Sequence, residues 1–395
     1  RLNCRRQRQM CIRDRAGAEQ VVWLNQLEVE HDNLRVALAW SIENAIDVGL
    51  RTAGALGTFW RVRGYHSEGR EWLEKALAKS QDGGADTDRF RAKALNSAGK
   101  LALFQGDTAA AYDLQEESVA LWRKLGDKRG LAYALRELAP AAWRQGDLTK
   151  ALSAIEGSVA LFHQMEDKSG LAGALFWQGY LYYVVGDYDR ARSLAIECIS
   201  LAQKMEDINR EARATIILGH IAFRQGDYTE AQPFYEKSLV LFRKARDQYG
   251  ISVLLAALGD LSYVQGNYQH AQAFYEESLE INQEIGNKSA VAQMLCRLGG
   301  ISFHQDRWQE ARTLLAESLS QWRELGDKRG IGGCLVELAG MYLEEQPEQA
   351  ARLLGMAKSC LEVGDTLRPP TFQAEIRADY DRNLAAVRTR LDEAA

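Results

Sequence analysis

The sequence predicts an all-α protein: a right-handed superhelical solenoid of stacked helix hairpins. Three observations carry that expectation. A Gly-Asp or Gly-Asn pair recurs at Gly106-Asp107, Gly146-Asp147, Gly186-Asp187, Gly226-Asp227 and Gly266-Asn267, each 40 residues after the last. A second series (Asp127, Asp167, Asp207, Asp247, Asn287 and Asp327) falls halfway between, so the chain is punctuated every 20 residues. Two columns of small residues run in the same register, Gly99, Ala139, Gly179, Gly219, Gly259, Gly299 and Ala339 in one, Ala111, Ala151, Ala191, Ala231, Ala271, Ala311 and Ala351 in the other. Gly suits the left-handed end of one helix, and Asp or Asn then caps the free amides of the next. A small residue on each of two antiparallel helices lets their axes approach closely.

Composition agrees with a water-facing repeat protein. The 395 residues are 46% apolar and 26% charged, with five prolines, three of them beyond residue 345. The formal charge is −5, but residues 1 to 15 hold six Arg against one Asp, which leaves a mildly acidic body. That balance argues against broad nucleic-acid binding. The six cysteines show no Cys-x-x-Cys pair or disulfide framework and read as reduced thiols of a cytoplasmic chain. No apolar stretch is long enough to predict a membrane span.

Taken in order, residues 1–15 fit neither the repeat nor an amphipathic helix. They resemble adapter read-through, so they are expected to be non-native or disordered, with the native chain continuing upstream. Residues 16–46 read as an N-terminal helical linker, because Trp23, Leu24, Leu27, Leu34, Leu38 and Trp40 recur at helical spacing. Residues 47–363 hold about eight hairpins. The first is divergent, with its turn at Gly64 and a Gly-rich loop from Asp82 to Asp86 behind it. Unit seven has Asp306-Arg307 in the Gly-Asp slot, where Asp is expected to keep the left-handed turn. The last unit has Gln346-Pro347 there, and residues 364–395 are expected to form a C-terminal capping helix.

The stretch Leu258-Gly259-x-x-x-Tyr263-x-Gln265-Gly266-Asn267-Tyr268-x-x-Ala271 resembles the tetratricopeptide repeat, stretched here from the usual 34 residues to a 40-residue variant. The six extra residues are expected to lengthen the second helix and form a linker, Leu125-Gly126-Asp127-Lys128-Arg129-Gly130. The flanks are more specific. His31-Asp32-Asn33-Leu34-Arg35 with Trp40, then Phe59-Trp60-x-x-Arg63-Gly64-Tyr65-x-x-Glu68-Gly69-Arg70-x-Trp72, resemble the start of the repeat region in bacterial predicted-ATPase regulators. These are signal-transduction ATPases with numerous domains (STAND), including LuxR-type and NB-ARC-containing transcriptional regulators. Ala350-Ala351-Arg352-Leu353-Leu354-Gly355, Pro369-Pro370 and the run at Asp379-Tyr380-Asp381-Arg382 resemble the closing segment of the same family. The resemblance implies a sensor or docking arm beside an upstream ATPase module. Forty-residue units with a Gly-Asp-Lys linker also resemble the arrays of cell-polarity G-protein-regulator scaffolds, which would make this a free-standing adaptor.

No catalytic chemistry is legible. There is no Gly-x-x-x-x-Gly-Lys-Ser/Thr loop, no His-Glu-x-x-His, no Gly-x-Ser-x-Gly elbow, and the six histidines are widely separated. The reading is therefore a non-enzymatic interaction segment with no cofactor, no metal, no direct nucleic-acid contact and no membrane contact. The tetratricopeptide register implies which first-helix residues face the concave surface. One column holds Trp143, Tyr183, Phe223, Tyr263 and Phe303, and neighbouring columns hold Lys93, Lys100, Arg136, Arg144, Tyr180, Arg213, His220 and Arg224. As a groove, this is an aromatic ladder with cations concentrated toward its N-terminal half, suited to an acidic peptide, a protein or an anionic ligand. The alternative is that the aromatics only pack neighbouring repeats together.

Overall fold

The computed structural model describes residues 19–63, 65–80, 84–105, 107–343, 345–362 and 380–390. The readings placed on residues 1–15, Gly64, Asp82, Gly106, Pro369-Pro370 and Asp379 lie outside them. Every regular element among the described residues is a helix. The first four are α1 (Glu19–Val29), α2 (His31–Asn44), α3 (Ile46–Val62) and α4 (His66–Ala78). Next come α5 (Ala85–Phe104), α6 (Thr108–Lys124), α7 (Lys128–Gln145), α8 (Leu148–Gln164), α9 (Lys168–Val185) and α10 (Tyr188–Lys204). The series continues with α11 (Ile208–Arg224), α12 (Tyr228–Ala245), α13 (Gln248–Val264), α14 (Tyr268–Glu284) and α15 (Lys288–His304). It closes with α16 (Trp308–Glu324), α17 (Lys328–Tyr342), α18 (Pro347–Glu362) and α19 (380–390). The expected all-α class, built of tetratricopeptide-type hairpins, is what the chain adopts.

The punctuation works as its chemistry dictates. Asp127, Asp147, Asp167 and Asp187 each accept a hydrogen bond from the backbone amide three residues on, at 2.8, 2.8, 2.9 and 3.2 Å. Each thereby satisfies one of the amides that a helix start leaves without a partner. The left-handed turn tolerates residues other than Gly: Glu166, Glu206, Arg246 and Asp306 all hold positive φ, at 53°, 55°, 52° and 59°. The linker is shorter than expected, because Lys128, Arg129 and Gly130 already form the first turn of α7. Pro140 lies inside α7 without ending it, although it has no amide to donate to the Arg136 carbonyl.

The helices fall into two compact units. The first comprises the described residues up to Leu218 together with Glu236–Asp247. Its N-terminal core gathers Leu38, Leu50, Trp60 and Leu73, and a second core gathers Trp122, Leu138, Trp143, Ile155 and Phe162. The two flanking motifs of the sequence meet here. Glu68 takes paired hydrogen bonds from Arg35 at 2.7 and 2.6 Å, with His31 Nε2 at 3.2 Å, and the His31 ring lies 4.5 Å from that of Tyr65. The second unit comprises Gly219–Tyr235 and the described residues from Gln248. Ala292, Leu315, Trp322 and Cys334 form one core, and Ala339, Ala350, Leu354 and Val387 another, so α19 packs on α17 and α18. Asn383 donates to the Val336 carbonyl at 3.2 Å.

Within the hairpins a buried hydroxyl recurs. Ser118, Ser158, Ser238, Ser278 and Ser318 each donate to a carbonyl 26 residues earlier, at 2.9, 2.8, 2.9, 2.9 and 2.6 Å. Cys198 holds the same place, with its thiol 3.1 Å from the Ala172 carbonyl. The small-residue column earns its spacing too: a Cβ at Gly259 would stand 2.4 Å from the Tyr275 ring, and one at Gly299 would stand 2.7 Å from Leu315.

Candidate functional site

In the first unit the groove candidates lie on α5, α7, α9 and the start of α11. Lys93 is exposed, and Lys100, Arg136, Arg144, Tyr180 and Arg213 are half-buried. Trp143 and Tyr183 are buried, at 2% and 0% exposure, and so form wall rather than surface. The Trp143 ring takes the edge of Tyr180 at 5.4 Å, and the Arg144 guanidinium lies over it at 5.7 Å. Phe176 and Trp177 extend this cluster, with their rings 6.4 and 5.8 Å from that of Tyr180. Both are half-buried, and neither was among the residues the sequence singled out.

The cations are less available than their number implies. Glu137 lies between Lys100 Nζ at 3.1 Å and Arg136 Nη2 at 2.5 Å. Burial alone would push its carboxyl pKa up, but the two cations outweigh burial and hold it at about 2. Glu137 therefore stays ionised and neutralises much of what Lys100 and Arg136 would offer a ligand. Arg213 meets Asp247 at 3.2 Å and Asn209 at 2.8 Å. Arg144 differs: among the described residues its guanidinium has an aromatic face beneath it and no carboxylate partner.

In the second unit the remaining candidates are His220, Phe223, Arg224, Tyr263 and Phe303. Phe223 is buried and the others are half-buried. His220 Nδ1 lies 2.8 Å from the Tyr235 hydroxyl, and burial lowers its pKa to about 4, so near neutrality it is no cation. Phe223, Tyr263 and Phe303 each pack against the aromatic that opens the next helix (Tyr228, Tyr268 or Trp308), at 5.4, 5.5 and 5.1 Å. Tyr183 and Tyr188 make the same pair in the first unit, at 6.2 Å. The ladder thus closes hairpin turns, whatever else it touches.

One charged pattern escaped the sequence reading although its signal was present. Lys100 and Glu137 are separated by the same interval as Asp260 and Arg297, and that second pair meets at 3.3 Å with polarity reversed. Tyr275 also donates to Asp260, at 2.7 Å. Equal spacing of opposite charges, nearly one repeat apart, marks first helices of adjacent hairpins in contact. No group of three or more metal-ligating side chains occurs among the described residues, and no described helix is long and apolar enough to cross a membrane.

Residues 85–249 match the MalT-like TPR region, and residues 253–285 and 290–362 match tetratricopeptide repeats. A search of the curated proteins finds no match. Among solved structures, a Rap protein complexed with Competence and Sporulation Factor is similar at TM-score 0.62 and 15% identity, over 86% of this chain and 94% of that one. The apo form of the quorum sensor NprR from B. thuringiensis is similar at TM-score 0.57 and 12% identity, over 87% of this chain and 97% of that one. A STAND protein with a tetratricopeptide repeat sensor from Pyrococcus horikoshii is similar at TM-score 0.51 and 15% identity, over 82% of this chain and 52% of that one. At such identities the likeness is one of fold. The chain is an all-α protein of tetratricopeptide repeats, including a MalT-like TPR region.

Proposed function

We propose that this chain is a non-enzymatic sensor or docking segment of a larger signal-transduction ATPase, of the kind that regulates transcription in bacteria, and that it acts in the cytoplasm. The observation that carries the docking half is the face formed by α7 and α9. There Tyr180, Phe176 and Trp177 offer aromatic area beside Arg144, a guanidinium without a carboxylate partner among the described residues. Aromatic surface next to one available cation suits a peptide or protein segment that pairs an apolar side chain with a carboxylate. The partner need be only modestly acidic, because Glu137 offsets Lys100 and Arg136.

The regulator half is supported by the MalT-like TPR match, by the flanking motifs and by the fold shared with a STAND sensor. In this reading the ligand binds one state of the ATPase more tightly than the other and shifts their populations. The gene tests it. Reading the DNA upstream of the codon for Ala16 is expected to reveal, in frame, a phosphate-loop ATPase and to show residues 1–15 as non-native. A start codon close to Ala16 with no ATPase before it would end the regulator reading and favour the free-standing adaptor.

A further inference from the structure

One glycine of the α7–α9 face has no packing reason to be glycine. Gly173 lies inside α9, where Gly is less stable than Ala because its unfolded backbone has more freedom to lose. The small-residue column needs its glycines, since a ring and a branched side chain fill the space beside Gly259 and Gly299. Position 173 belongs to a different column. Forty residues to either side stand Tyr133 and Arg213, and Lys93, Val253 and Gln293 continue the series, so the repeat itself accepts large side chains there. A Cβ at Gly173 would meet one atom closely, Arg136 Nη1 at 2.9 Å, with the next at 3.6 Å. That atom is the far end of a flexible side chain, which can give way. Gly173 is half-buried, so the gap it leaves is reached from solvent.

The atom that borders the gap is a donor held in place. Glu137 accepts from Arg136 Nε at 3.1 Å and Nη2 at 2.5 Å, and the guanidinium lies over the Tyr133 ring at 5.0 Å. Its orientation is thereby fixed, while Nη1, which carries two N–H groups, makes no hydrogen bond among the described residues. Because Glu137 offsets the charge, Nη1 offers a directed donor rather than an unbalanced cation. On α9, Gly173, Phe176, Trp177 and Tyr180 stand at i, i+3, i+4 and i+7, on one face of the helix, so the gap adjoins the aromatic rings. Bare backbone beside a fixed donor and an aromatic surface fits the main chain of an extended peptide, whose carbonyl can come close where no side chain intervenes. On the peptide-docking reading of this face, we infer that the bound main chain crosses α9 at Gly173 and that Arg136 Nη1 donates to one of its carbonyls. Gly173 and Arg136 then determine specificity for a peptide backbone, as Arg144 does for a carboxylate.

The test uses the whole chain and a labelled synthetic octapeptide of alternating leucine and glutamate, read by fluorescence anisotropy. Gly173→Ala is expected to bind it about tenfold more weakly, while the melting temperature stays equal to the parent's or rises, because Ala favours the helix and only the tip of Arg136 has to move. Arg136→Lys keeps the charge but lacks the fork of donors, and is expected to lose about tenfold as well. The double variant is expected to lose little more than either single one, since both changes act at one contact. Parent-like affinity in Gly173→Ala would overturn the inference. So would a melting temperature below the parent's, because the glycine would then serve packing. Binding that Arg144→Ala and Tyr180→Ala abolish but Gly173→Ala leaves intact would remove this subsite and keep the docking face, whereas a parent that does not bind the peptide would remove both.

Discussion

A buried hydroxyl is small, yet its recurrence shows what a hairpin needs at the level of single atoms. Each donates to a backbone carbonyl of the facing helix, and Ser158 does so at 2.8 Å in full burial. Ser158→Ala removes a second hydrogen bond to a carbonyl that keeps its place in the α7 ladder and is expected to cost about 1 kcal/mol in urea unfolding, whereas Cys198→Ser, restoring the commoner residue, is expected to be near neutral. Glu137 carries a pH signature. Its folded pKa, about 2, lies below the ordinary value of 4.5, so its contribution is fully present above 4.5 and is lost as pH falls toward 2. Glu137→Gln is therefore expected to flatten the loss of stability over that window; an unchanged slope by acid titration would mean that Lys100 and Arg136 do not hold the carboxylate. His220 works in the same direction at higher pH, because its folded pKa of about 4 lies below the ordinary 6.5.

At the scale of helices, the sequence announces the hairpins because their geometry leaves few choices. Helix ends need a left-handed residue and a cap, and close helix crossings need small side chains, so both recur at one interval. Gly259 shows how tight that crossing is. Gly259→Ala places a methyl 2.4 Å from the Tyr275 ring and is expected to destabilise the second unit by about 1–3 kcal/mol, read by thermal unfolding. The site was less legible. The register put Trp143 and Tyr183 in the column expected to face the groove, but periodicity alone cannot say that they are buried at 2% and 0%. Nor did it show that Glu137, adjacent in sequence to Arg136, draws in Lys100 from the preceding hairpin. Charge partners that belong to different repeats become visible only when the interval between repeats is compared pair by pair.

For the molecule as a whole, the repeat architecture separates two questions that a globular enzyme would merge. Stability is assembled locally, hairpin by hairpin, so surface positions are free to vary with the partner. The unabsorbed polarity and aromatic area of the first unit gather on α7 and α9. On the proposed function, the α7–α9 face takes a peptide segment bearing an apolar side chain and a carboxylate. Selection of a random twelve-residue peptide library on the whole chain tests it most directly, followed by calorimetry of the enriched peptides against Arg144→Ala and Tyr180→Ala. Enrichment of sequences pairing an aromatic or leucine with Asp or Glu is expected, with about tenfold or greater loss of affinity in each variant. Enriched peptides without a carboxylate, or affinities that neither substitution changes, would contradict it.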